Sequence, residues 1–133
     1  MNARLLWTYR LLYMTYVLLP IVAGADKFFY NIGLWPLYIN PAIPLFLNMS
    51  MDAFMKWMGV VEILVGLVVL WKPALGGRIV TLGVLAIAIN VFSTGLHWDV
   101  AVRDIIIALG SYTFVVLSEE LKYIHNNNAM TRS

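Results

Sequence analysis

The chain has 133 residues, enough for one domain. It is 62% hydrophobic and only 12% charged, whereas a soluble domain is about half apolar and a quarter charged, so there is too little polar surface to face water. A net charge of +2, set among long apolar runs, excludes a nucleic-acid partner, and the absence of cysteine excludes disulfide exchange, thiol catalysis, thiolate-held iron–sulfur clusters and covalently attached haem.

The apolar residues fall into four runs, each near the roughly 20 residues that a helix needs to cross a bilayer. The expected fold is all-α: a polytopic bundle of four transmembrane helices over about 5–25, 51–71, 78–96 and 100–118, forming a single membrane domain over 1–133. The first run is headed by Arg4, with Arg10 further in. Its end, Val22-Ala23-Gly24-Ala25, resembles a secretory cleavage site, but the segment is read as a retained span. Tyr9, Tyr13, Tyr16 and Pro20 follow helical spacing and share one face. That face is either a packing surface with interface aromatics or, for Tyr9, Tyr13 and Tyr16, the wall of a pocket for a ring-shaped ligand.

Residues 26–50 follow, interrupted by Pro36, Pro41 and Pro44, which forbid a continuous helix. The segment is rich in Phe, Tyr, Trp and Leu, so a disordered linker is not expected. It reads as a lid in the outer interface, with Trp35 and Tyr38 at headgroup level. Ser50 or Asp52 caps the second helix, which Lys72-Pro73 ends, and Gly76-Gly77 forms a tight turn. The third helix carries Gly83, Ala86, Asn90 and Thr94 on one face, a small and polar set expected to contact a neighbouring helix, with Asn90 bonding across the interface or lining the pocket. His97-Trp98-Asp99 is the next turn, with Asp99 as N-cap. The fourth helix ends in a polar extension before Asn126-Asn127-Asn128 and a tail over 119–133.

Arg4, Arg10, Lys72, Arg78, Lys122 and Arg132 lie on one side of this arrangement, and Lys27, Lys56 and Arg103 on the other. The positive-inside bias places both termini and the tail in the cytoplasm, loop 26–50 outside, and the protein in the plasma (inner) membrane.

Gly59, Glu62 and Gly66 stand at i, i+3 and i+7 within the second span, so they share a helix face. Two glycines let another backbone approach, and a carboxylate at that depth must find a partner inside protein. Lys27, at the outer end of the first helix, and Arg103-Asp104, near the start of the fourth, enter from the same side. The expectation is a polar cluster of Lys27, Glu62, Arg103 and Asp104 in the outer half of the bundle, roofed by the Pro-rich loop. Two readings stay open: an ion-pair staple that fixes which helices are neighbours, or a site for a polar headgroup such as a quinone ring. His97 and His125 lack metal-ligand spacing, and no catalytic residue, metal site or nucleophile motif is found.

In order and spacing, Arg10, Gly24-Ala25-Asp26-Lys27-Phe28, Glu62 with Gly66, and Arg103-Asp104 resemble the DoxX-like (DoxX/DoxD) family of small four-helix membrane proteins; the likeness runs from about Arg10 to Glu119 and leaves out the Pro-rich loop. The resemblance implies a link to membrane redox complexes, quinone-reducing oxidoreductases among them. The chain is expected to carry no electron and no cofactor of its own. Its partners are then membrane lipid and other membrane-protein subunits. The leading expectation is a non-catalytic accessory or anchoring subunit. The alternatives are a component that binds a quinone or lipid at the charged cluster and, third, a small-solute transporter acting as an oligomer.

Overall fold

The structure, a computed structural model, describes residues 3–32 and 34–132, with the side chain of Arg132, counted among the basic residues above, outside the described set. Among the described residues five α-helices occur in order: α1 (Ala3–Asp26), α2 (Ala42–Phe46), α3 (Met51–Trp71), α4 (Pro73–Ser93) and α5 (Trp98–Arg132), with a 3-10 turn at Trp35–Tyr38 between α1 and α2. Among the described residues there is no strand. Helices α1, α3, α4 and α5 are long and apolar enough to cross a membrane, which makes this an all-α, multi-pass membrane protein. Broad exposure of Trp7, Leu11, Met14, Leu64, Leu82, Ile89 and Ile106 fits surfaces facing lipid.

The bundle is built from two tight helix pairs, α1 with α3 and α4 with α5, joined mainly along α3 and α4. The α1–α3 seam is glycine-to-glycine: a Cβ added to Gly59 would lie 2.6 Å from the Gly24 carbonyl oxygen, and one added to Gly24 would lie 2.6 Å from the Gly59 oxygen. Gly66 continues the seam against Val17 and Ile21. In the core, Phe114 of α5 is fully buried and stacks on Tyr9 and Tyr16, each with ring centroids 5.8 Å away.

The third span begins earlier than its sequence suggests. Pro73 opens α4 directly after Lys72, and Gly76-Gly77 lie buried inside the helix instead of forming a turn. Proline is tolerated in a first helical turn because its missing N–H is unpaired there anyway. The glycines serve packing: a Cβ on Gly76 would strike the Val69 backbone, and one on Gly77 would lie 2.6 Å from Val115. Beside them the fully buried Ser111 hydroxyl donates to the Gly77 carbonyl at 2.9 Å and accepts from Thr81. The expected contact face of α4 is corrected too. Gly83 meets nothing within 4 Å and Ala86 is exposed, while Gly76, Gly77, Val80, Ala88 and Val91 are buried. Small residues do contribute to the seam, but on a face rotated about a quarter turn around α4.

At the other end of the chain, α5 is one helix of 35 residues, about 52 Å at 1.5 Å per residue, and so outruns a hydrocarbon core of about 30 Å. The stretch read as a tail is helical up to Arg132. Beyond Gly110 it contains neither Gly nor Pro, and extending an existing helix costs far less than starting one. Asp99 sits in the first turn of α5 and is not its N-cap; His97, at φ 56°, makes the bend just before.

Candidate functional site

The charged residues singled out in the sequence meet near the ends of α1 and α5 and midway along α3. Lys27, one residue past α1, donates from Nζ to Glu62 Oε2 at 2.7 Å, forming an ion pair whose side chains are 7% and 20% exposed. The glycine seam makes this reach possible, since Gly24 and Gly59 sit one helical turn from the two charged residues. Trp35 closes the pair from the loop side, with Lys27 Nζ 4.1 Å from its ring centroid. A cation over an aromatic face and against a carboxylate has its charge answered from two directions.

Arg103 does not reach Glu62. It donates to Oδ1 of its neighbour Asp104 at 3.2 Å, and its side chain stays 54% exposed. Adjacent residues on a helix do not face one another, so this contact needs the long arginine to fold back along α5. Asp104 is buried and interacts electrostatically with Lys27, Glu62 and Arg103, which brings the four predicted residues into one cluster. Its second oxygen, Oδ2, has no hydrogen-bond partner among the described residues.

Two residues central to the site were absent from the sequence-derived set. Asp26, the last residue of α1, is buried and organises the loop: its carboxylate accepts from the backbone N–H of Asn31 at 2.8 Å, from that of Ile32 at 3.0 Å, and from Trp35 Nε1 at 2.8 Å. Trp35 is thereby oriented over Lys27. A readable signal was present, because a carboxylate at a helix C-terminus opposes the helix dipole and has to be satisfied by other donors. Asp26→Ala is therefore expected to leave Trp35 and two backbone N–H groups without their acceptor, at about 1–3 kcal/mol. Tryptophan fluorescence and limited proteolysis within 27–50 read the result; an unchanged loop would contradict this role for Asp26.

The loop is further tied to α4. Asn90 does not bridge two helices as expected: its amide donates to the Tyr38 carbonyl at 2.7 Å and its oxygen accepts from the Asn40 N–H at 3.0 Å. Backbone groups left over from the proline-broken segment take up the side chain that a helix would otherwise have used. Tyr38 then packs edge-on against His97, with centroids 4.9 Å apart. Elsewhere in the segment, the Tyr30 hydroxyl lies 3.5 Å from Asp52 Oδ1, and its pKa is raised first by desolvation and then by that carboxylate. Ser50, of the two candidates, caps α3, accepting from the Ala53 N–H at 3.1 Å.

The tyrosines of α1 are occupied with packing. Tyr13 donates to the Leu70 carbonyl at 2.6 Å and Tyr16 to that of Ile107 at 3.0 Å, while Tyr9, Tyr13 and Tyr16 surround Phe114. Two grooves of about 350 and 360 Å³ lie away from them, one between α4 and α5 beside Arg78 and Glu119, the other between the loop and the end of α4. Among the described residues no group of three or more His, Cys, Asp or Glu side chains could hold a metal ion. Comparison of the chain with protein-family models, curated proteins and solved structures finds no match.

Proposed function

We propose that this chain is a DoxX-like protein of the plasma (inner) membrane, with both termini cytoplasmic, acting as a non-catalytic accessory or anchoring subunit of a larger membrane assembly of the redox or respiratory type. The observation that carries the reading is the Lys27–Glu62 pair. Its charges are answered within the chain and covered by Trp35, so the most conspicuous chemistry of the sequence is used to join α1 to α3. What remains outside is apolar helix surface, which suits both lipid and the helices of a partner.

The test is purification of the untagged chain from native membranes in mild detergent, with the retained chains identified. Co-migration with a larger assembly in fixed ratio is expected. With Glu62→Gln, the subunit should become less stable while the activity per assembled complex is unchanged. Recovery of the chain alone, or lost activity in a fully stable Glu62→Gln complex, would overturn the proposal. The second outcome would favour the alternative of a quinone or lipid headgroup bound at the cluster, a reading supported by one observation, the unpartnered Oδ2 of buried Asp104.

A further inference from the structure

Charge is divided unequally between the ends of the bundle. Among the described side chains, five basic residues (Arg4, Arg10, Lys72, Arg78, Lys122) stand with two acidic ones, Glu119 and Glu120, at the end where α1 starts, α3 ends and α4 starts. At the opposite end Lys27, Lys56 and Arg103 stand with four acidic residues, Asp26, Asp52, Asp99 and Asp104, and Glu62 lies midway along α3. The basic end also carries exposed Trp7 and Trp71, the latter with Lys72 Nζ 4.7 Å from its ring, as suits the depth at which lipid headgroups sit.

The groove of about 350 Å³ between α4 and α5 opens at this basic end. Its mouth is Arg78 and Glu119, which pair with each other. Its walls run inward past Leu82, Val115 and Val116 to Tyr112, seven residues and roughly 10 Å below Glu119 along α5. A polar mouth at headgroup level above an apolar trough parallel to the helices matches the two halves of a lipid. Arg78 gives one guanidinium nitrogen to Glu119, and a guanidinium has five N–H donors, so it can also hold a phosphate. Basic pockets between membrane helices attract anionic headgroups for this reason.

We propose that the α4–α5 groove is a binding site for one anionic glycerophospholipid, its phosphate on Arg78 and an acyl chain along Leu82, Val115 and Val116. The site is independent of the accessory-subunit reading and of the Lys27–Glu62 cluster at the other end of the bundle.

The test is native mass spectrometry of the full chain released from nanodiscs containing phosphatidylglycerol and phosphatidylcholine with the same acyl chains. The wild type should retain phosphatidylglycerol in preference, by about fivefold, the attraction of one basic residue for an anionic headgroup. Arg78→Gln should reduce the preference to near unity. Val116→Trp, on a half-exposed wall position where a large ring costs the core little, should abolish retention of both lipids. Arg10→Gln, at the same end but away from the groove, should leave the preference intact. Equal retention of the two lipids by the wild type, equal loss in Arg10→Gln and Arg78→Gln, or undiminished retention in Val116→Trp would each overturn the proposal. The Val116 arm does so even if Arg78→Gln fails to fold.

Discussion

Gly59→Val is expected to separate α1 from α3 where their two glycines meet backbone to backbone. A Cβ at Gly59 would stand 2.6 Å from the Gly24 carbonyl oxygen, 2.9 Å from Phe28 Cε2 and 3.3 Å from Lys27 Cβ. The first of these is backbone within a helix, and it cannot rotate away as a side chain could. Overpacking a well-filled interior costs typically about 1–3 kcal/mol, and contact with backbone argues for the upper part of that range. Relief requires the two helices to part, and parting them lengthens the Lys27–Glu62 contact one turn away, so the change also weakens the ion pair. Gly83→Ala supplies the contrast. An added methyl there meets nothing within 4 Å, and alanine favours helix over glycine by about 1 kcal/mol, so this substitution should be neutral or mildly stabilising. Unfolding in mixed micelles, followed by helix content, distinguishes the two. Similar stabilities for Gly59→Val and Gly83→Ala would mean that the α1–α3 seam is not close-packed.

These two glycines also show how far the sequence could be read. The class of fold was legible because four apolar runs of bilayer length leave few alternatives. The glycine face of α3 was legible because Gly59, Glu62 and Gly66 obey helical spacing around a charge that demanded a partner. By the same logic Gly83, Ala86, Asn90 and Thr94 looked like a contact face, and there the inference failed. Local spacing reports which residues share a face but not which face meets a neighbour. That is decided by the partner helix: Val69, Phe114 and Val115 lie against Gly76 and Gly77, not against Gly83. Gly-Gly after proline is also an ordinary turn signal, and it was overridden because packing of α3 and α5 on α4 rewards continuous helix. Within the site, reach alone offered Lys27 or Arg103 as a partner for Glu62, and the structure pairs Lys27 with it. The aromatic cover of Lys27 was not legible, because Trp35 is positioned through Asp26 by hydrogen bonds to a non-repetitive backbone, which leaves no periodic trace.

Lys27→Met should be the costliest single change to the charged cluster, since it leaves Glu62 facing an apolar seam without its cation. Removing one member of a buried pair typically costs about 3–5 kcal/mol, mostly because the remaining charge stays desolvated. Glu62 is 20% exposed at its side chain, which argues for the lower part of that range. The second substitution is the informative one. If the pair acts as a staple between α1 and α3, Lys27→Met combined with Glu62→Leu should recover most of the loss, because two apolar side chains of similar size can replace a buried ion pair with little penalty. Trp35 would then rest on a methionine, a contact that sulfur and aromatic rings make readily. A double-mutant cycle of unfolding free energies in micelles gives the coupling directly. Strong coupling with recovered stability, together with unchanged association with partner chains, is the outcome expected of a structural pair. Recovered stability with lost association would instead mean that the charges themselves are recognised from outside, and Asp104, whose second oxygen has no partner within the described chain, would be the group to substitute next.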